Sequence, residues 1–314
     1  MSEAAAAAAI DIGTNSVLLV IAARGPAGPV PLVERATITR LGEGVDRTRR
    51  LSDAAVERNL NCLRAYAEEL GRHGSPRLDV VGTSALRDAE GAEHFLDEAE
   101  RILGVRPRVI AGDEEAALTF RGALSGLGLR GRLLVFDVGG GSTELIVGDA
   151  GDAAPQSRVS LDIGSVRLFE RHVRSDPPSA AELAAIERDI TGALAGAAPL
   201  QDLKTDGSAP FTLVGVAGTV TTLKSLELGM ERYDAARVHG APLSLDVVDD
   251  LCVKLSQLSL AERTRLPGLE PKRADVIVAG ALIVRELLRR SGSTALVVSD
   301  RGVRFGLLDQ LLLV

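Results

Sequence analysis

Apolar and polar positions recur along this chain in one pattern: an apolar strand, a polar turn rich in Gly, Ser or Thr, and a second apolar stretch. The first instance is Ile10-Asp11-Ile12-Gly13-Thr14-Asn15-Ser16, running into Val17-Leu18-Leu19-Val20-Ile21. The β-branched content of that outgoing run predicts a strand, not the helix that follows the glycines of a Rossmann or P-loop turn. The second instance is Leu133 to Val138, then Gly139-Gly140-Gly141-Ser142-Thr143-Glu144, then Leu145 to Val147. Set beneath the first, it places Asp137 under Asp11, Gly139 under Gly13 and Ser142 under Ser16. A repeat with constant offset predicts two related domains that open with similar hairpins.

Elsewhere the spacing of apolar residues predicts helices over 51–73, 92–103, 114–124, 177–197, 273–290 and 304–314. Strands are predicted over 78–82, 105–111, 212–216 and 294–299. The chain therefore reads as α/β. With 314 residues and roughly 150 per domain, two domains are expected, over 1–125 and 132–298. The glycine-rich stretch 122–131 between them is the expected hinge for a closure.

Composition narrows the function classes. The balance of 36 Lys and Arg against 43 Asp and Glu gives a net charge of −7, which argues against nonspecific nucleic-acid binding. With no Trp, two Tyr and six Phe, stacking platforms for single strands are not expected either. No apolar run approaches the ~18 residues of a membrane helix. The alanines at 4–9 lack a basic flank and run into Asp11, so no signal peptide is expected. The only cysteines, Cys62 and Cys252, lack metal spacing and read as buried thiols of a cytoplasmic protein.

Four polar turns follow predicted strands: Gly13 to Ser16, Thr83-Ser84, Gly139 to Thr143, and Gly215 to Thr219. Glycines let backbone N–H groups approach an anion, and hydroxyls add donors. Together the four point to a phosphate site between two domains. Asp11 and Asp137 end apolar strands, where an unpaired carboxylate is costly. They either cap their own turns or hold Mg²⁺, which takes a few carboxylates plus water and phosphate oxygens. Glu144 lies beside the same turn. Glu114 and Glu115 fall at a helix start, where acids complement the dipole. Spacing assigns that role to Glu114 and leaves Glu115 open. Arg87 is either an anion contact or a solvated surface charge.

These segments resemble the exopolyphosphatase / guanosine pentaphosphate phosphohydrolase family, short form. The resemblance rests on Ile10 to Ser16, Thr83-Ser84-Ala85-Leu86-Arg87, Gly112-Asp113-Glu114-Glu115-Ala116, Asp137 to Glu144, Gly218-Thr219, and Ser299-Asp300-Arg301-Gly302-Val303-Arg304-Phe305-Gly306, all in the family's order. It implies two actin-like (sugar kinase, Hsp70 and actin superfamily), ribonuclease H-like domains around a cleft, with helix 304–314 packing back on the first. It implies Mg²⁺-dependent removal of terminal phosphate from inorganic polyphosphate. Glu115 would activate or orient water, and Asp137 and Glu144 would lie near metal and scissile phosphate. Asp11, Asp137 and Glu144 form the expected metal set. Thr14, Asn15, Ser16, Arg87, Gly139, Gly140, Gly141, Ser142, Thr143, Gly218 and Thr219 form the expected phosphate set. Arg40, Arg167 and Arg273 are candidates for a basic path along the polymer. Guanosine pentaphosphate is the alternative substrate; a phosphotransferase and a phosphate sensor are the alternative classes. No nucleic-acid or membrane partner is expected, and the oligomeric state, a homodimer included, is left open.

Overall fold

Alanine supplies the first surprise. In the computed structural model, which describes residues 6–25, 28–74, 76–152, 155–205 and 210–313, the alanine run forms most of a central strand. This strand, β1 (Ala6–Ile12), sends Ala8, Ile10 and Ile12 into one apolar cluster and Ala7 and Ala9 into another. It is buried on both faces, as expected of a central strand flanked by helical layers.

The chain forms two compact units. One runs to Gly126 and resumes at Gly302; the other is Leu127–Arg301. In the first, β2 (Ser16–Gly25), β3 (Gly28–Ile38), β4 (Arg77–Gly82) and β5 (Arg108–Val109) join β1 in the order β3-β2-β1-β4-β5. The β1–β2 and β2–β3 pairs are antiparallel, and β1–β4 and β4–β5 are parallel. Leu60, Leu63 and Tyr66 of helix Asp53–Arg72 and Phe95 of helix Glu93–Leu103 cover one face. Leu118 of helix Gly112–Leu124 and Phe305, Leu307 and Leu308 of helix Val303–Leu313 cover the other. These last two helices meet almost backbone to backbone. A Cβ on Gly306 would lie 2.1 Å from the Leu118 carbonyl oxygen, and one on Gly122 would lie 2.0 Å from that of Gly302.

The second unit repeats the plan. Its strands are β6 (Arg132–Val138), β7 (Thr143–Asp149), β8 (Ser157–Leu161), β9 (Phe211–Val216), β10 (Pro242–Ser244) and β11 (Ala295–Val298). Their order, β8-β7-β6-β9-β11-β10, matches the first sheet strand for strand, with β10 added antiparallel at the far edge. The pairs again run antiparallel on the hairpin side of β6 and parallel on the other. Both units thus have the strand arrangement of the actin-like, ribonuclease H-like α/β class. Helix Ile277–Ser291 is buried from Ile277 to Val284 without interruption, as a helix enclosed within a core must be.

Several expected elements differ in extent. The strand expected over 105–111 pairs only at Arg108–Val109, since Pro107 has no N–H to donate. The helix expected over 177–197 spans Ala180–Ala195, started by the Ser179–Glu182 capping box. The helix expected over 273–290 begins at Ile277, after a 3₁₀ turn Pro271–Arg273. Gly215 to Thr219 is not a turn: Gly215 lies within β9, and Gly218 and Thr219 lie in the first turn of helix Ala217–Glu227.

Candidate active site

The two hairpin turns superpose in hydrogen bonding as well as in sequence. Gly13 N–H donates to the Ser16 carbonyl at 3.0 Å, and Gly139 N–H donates to the Ser142 carbonyl at 3.0 Å. A Cβ at either glycine would stand 3.1 Å from that same carbonyl oxygen.

In the first unit the turn is tied to the segment after β3. The Thr14 carbonyl accepts from Gly42 N–H at 2.9 Å, and the Asn15 carbonyl accepts from Thr39 and Arg40 N–H at 3.1 and 3.0 Å. Arg40 therefore anchors the turn through its backbone, in a left-handed conformation with φ 52°. Beneath the turn, Asp11 Oδ1 and both polar side-chain atoms of Asn15 are buried without a hydrogen-bond partner. Such groups are costly unless a ligand completes them. Burial pushes the Asp11 carboxyl up to about 7; the Glu115 charge adds to that rise and Arg304 opposes it. Ser16 begins β2, opposite Ile38.

Glu115 occupies the first turn of helix Gly112–Leu124 and is 7% exposed. Arg87, in the short helix Ser84–Asp88, donates from one Nη1 to Glu115 Oε2 at 2.5 Å and to the Ile110 carbonyl at 3.0 Å. Arg87 is thus the partly exposed half of an ion pair with a buried carboxylate, not a free surface charge. Burial raises the Glu115 carboxyl above its ordinary range, and Arg87 limits the rise. One helical turn on, Thr119 Oγ1 is also buried without a partner. Glu114 is exposed and pairs with Arg108 at 2.8 Å. The adjacent acids therefore occupy opposite environments.

In the second unit the carbonyls of the glycine turn are all engaged. Gly139 O accepts from Ser165 N–H at 2.9 Å, Gly140 O from the N–H groups of Val166 and Arg167 at 2.9 and 3.0 Å, and Gly141 O from Arg167 Nε at 2.6 Å. Ser142 is buried, and Thr143 Oγ1 donates to the Ile163 carbonyl at 2.6 Å. Asp137 and Glu144 lie directly opposite on β6 and β7. Cross-strand partners share a face, and like charges there are destabilising without a counter-ion. Ser160 on β8 donates to Glu144 Oε1 at 2.7 Å. Thr219 Oγ1 contacts the Val138 carbonyl at 3.4 Å.

Arg273 lies against Gly218, where a Cβ would be 2.2 Å from its Nη1. Its backbone N–H donates to the Glu270 carbonyl at 2.8 Å, but its side chain makes no hydrogen bond or ion pair among the described residues, and burial lowers its guanidinium pKa. Next to Gly218, Ala217 holds φ 71°, a conformation that costs a non-glycine residue about 1–3 kcal/mol and clusters at ligand sites. Arg167, by contrast, is 7% exposed and bonded to the glycine turn. It is neither a surface charge nor a free cation on a polymer path.

Within the first unit, then, the fold gathers Asp11, Thr14, Asn15, Ser16, Arg87 and Glu115. Within the second it gathers Asp137, Gly139 to Thr143, Glu144, Gly218 and Thr219. Among the described residues no three His, Cys, Asp or Glu side chains converge as a ready-made metal cluster. In the first unit the buried, partnerless Asp11 Oδ1 nonetheless suits a cation such as Mg²⁺ that takes one or two carboxylates and fills its shell with water and phosphate; in the second unit the opposed Asp137–Glu144 pair offers ligands of the same kind. Sequence reasoning missed Ser160, Gly164 and Ser165, because none falls in a turn that announces phosphate chemistry. No helix among the described residues is long and apolar enough to cross a membrane.

Comparison with known proteins agrees with this geometry. A family model described as the Ppx/GppA phosphatase family matches residues 20–314. Exopolyphosphatase 2 of Mycobacterium tuberculosis is 39% identical over 317 residues, covering 96% of each chain. The guanosine-5'-triphosphate,3'-diphosphate pyrophosphatase of Vibrio atlanticus is 30% identical over 96% of this chain but only 58% of its own length. The crystal structure of an exopolyphosphatase-like protein superposes with a TM-score of 0.91 at 37% identity, covering 99% of both chains. On the matched motifs and the extent of these alignments, the chain belongs to the Ppx/GppA phosphatase family.

Proposed function

We propose that this protein is an exopolyphosphatase, releasing orthophosphate from the end of inorganic polyphosphate by attack of water. One observation carries the reading: Glu115 is buried, raised above the ordinary carboxylate range, and held in one orientation by Arg87. A raised carboxylate is a better base, and efficiency is greatest when its pKa nears the working pH. Glu115 accepts the proton of the attacking water. Arg87 fixes the carboxylate and offers positive charge beside the reacting phosphate.

Phosphoryl transfer needs positioning and charge stabilisation more than covalent help from the protein. The glycine turn supplies N–H donors, since its carbonyls are occupied elsewhere. Asn15, with both side-chain polar atoms unpartnered, and Arg273, against Gly218, are assigned to phosphate oxygens. Asp11, Asp137 and Glu144 are assigned to Mg²⁺, which when bound neutralises phosphate charge.

Guanosine pentaphosphate is the second reading, favoured by the 30% identity to the Vibrio atlanticus enzyme. Purified protein with Mg²⁺ is incubated separately with short polyphosphate, long polyphosphate, guanosine pentaphosphate and ATP, and phosphate release is measured. Release from polyphosphate without an acceptor is expected. Release from guanosine pentaphosphate alone supports the second reading, and acceptor-dependent loss of ATP phosphate would indicate a phosphotransferase. Cys62 and Cys252 are both free, buried thiols, as suits a cytoplasmic enzyme.

A further inference from the structure

We infer that Gly164 and Arg167 are positioning residues that aim the N–H edge of the Gly139–Ser142 turn at the phosphate. The inference rests on the phosphate-binding role given above to that turn.

A trans peptide is planar, and its C=O and N–H point in opposite directions. The carbonyls of Gly139, Gly140 and Gly141 are all drawn toward the start of helix Ser165–His172. The N–H groups of Gly140, Gly141 and Ser142, which share those peptide planes, must therefore point the other way. None of the three has an acceptor among the described residues. Successive N–H groups facing one way form an anion-binding concavity.

Two residues hold this arrangement. Gly164 precedes the helix in an extended conformation, φ −147°, so it is not needed for its backbone freedom. It is needed for space. A Cβ there would lie 2.4 Å from the Gly140 oxygen and 2.6 Å from the Gly141 carbonyl carbon. Both obstacles are backbone, so relief requires moving the turn itself. Arg167 reaches back from the helix with Nε 2.6 Å from the Gly141 oxygen. Helix N–H groups hold the first two carbonyls, and only a side chain reaches the third. Removing it frees the last peptide plane to rotate.

The test uses the full chain with Mg²⁺ and tripolyphosphate. Arg167→Met should lower kcat at least about tenfold, a conservative figure beside the 10²–10³-fold cost of losing one oxyanion donor outright. KM should stay within about threefold, and added guanidinium ion at tens of millimolar should restore part of the loss. Gly164→Ala should lower kcat in the same way without responding to guanidinium. If Arg167→Met does not fold, Arg167→Lys keeps the buried charge but not the Nε donor, and the same tenfold loss is expected. A second readout does not depend on turnover: added orthophosphate should shift the amide resonances of Gly140, Gly141 and Ser142 in the wild type, and these shifts should vanish in the variants. Wild-type kcat in the folded Arg variant, or amides that ignore phosphate in an active wild type, overturns the inference. Amides that respond in a wild type unable to cleave polyphosphate leave the positioning intact and overturn the polyphosphate reading.

Discussion

Replacing Glu115 by Gln separates the chemical role of this residue from its structural one. Breaking a buried ion pair by removing one partner commonly costs about 3–5 kcal/mol. Three features reduce that here. Gln retains an oxygen to accept from Arg87; Arg87 keeps its bond to the Ile110 carbonyl; and the Arg87 side chain is 22% exposed, so water reaches it. In addition, burial already outweighs the pull of Arg87 on the Glu115 carboxyl. The stability change at neutral pH should therefore be about 1 kcal/mol or less. Its pH dependence has a definite sign. An acid raised in the folded state stabilises most when protonated, and that contribution is lost as pH rises through the folded value. Glu115→Gln should thus gain stability relative to wild type as pH rises above the ordinary glutamate range. Turnover should fall at least about 10²-fold, the usual scale for a lost general base. Glu114→Gln is the control. Its pair with Arg108 is 45–48% exposed, so it should cost at most about 1 kcal/mol and leave turnover nearly intact. Phosphate release from tripolyphosphate and urea denaturation of both variants measure all four quantities. A dead Glu114→Gln, or equal losses in the two, would refute the assignment. Full activity in both would move the water-activating role to Glu144.

Without divalent cation, wild-type stability should decline between about pH 4 and pH 7, because the Asp11 carboxyl is raised to about 7 and its ionisation opposes folding; Asp11→Asn should flatten that slope in urea titrations run with chelator. Gly306→Ala places a methyl 2.1 Å from the Leu118 carbonyl oxygen and should cost about 1–3 kcal/mol, read as a lower thermal midpoint. Cys252, whose thiol burial pushes up to about 12, should resist iodoacetamide at pH 8 in the folded protein and react once it is denatured.

The sequence announced the repeated hairpins because their chemistry is local. A strand end, a glycine bonded to the carbonyl of the serine three residues on, and a carboxylate recur at one offset, and the fold keeps all three equivalent. What stayed hidden depends on neighbours distant in sequence. Strand β3 carries Pro29 and Pro31, which speak against a strand, yet an edge position tolerates both. Its register slips at the Ile21/Ala22 step, leaving Leu32 53% exposed. The alanine run shows no amphipathic alternation because its small side chains serve two buried faces equally. Glu115 and Glu114 are indistinguishable by spacing; only the approach of Arg87 and Arg108 from other elements separates them. Arg167 looked like any surface cation until helix Ser165–His172 placed it under the glycine turn.

The return of the chain to its first unit sets an order of assembly. Helix Val303–Leu313 brings Phe305, Leu307 and Leu308 to the sheet face formed by Ala7, Ala9 and Val20. On the ribosome, that face has to wait while residues 127–301 are made, roughly nine to thirty-five seconds at about 5–20 residues per second. The second unit, continuous in sequence, is complete before the first can close. A nascent chain arrested after Arg301 would hold one finished unit and one whose apolar sheet face lacks its last helix, and that unfinished unit is where a holding chaperone would bind.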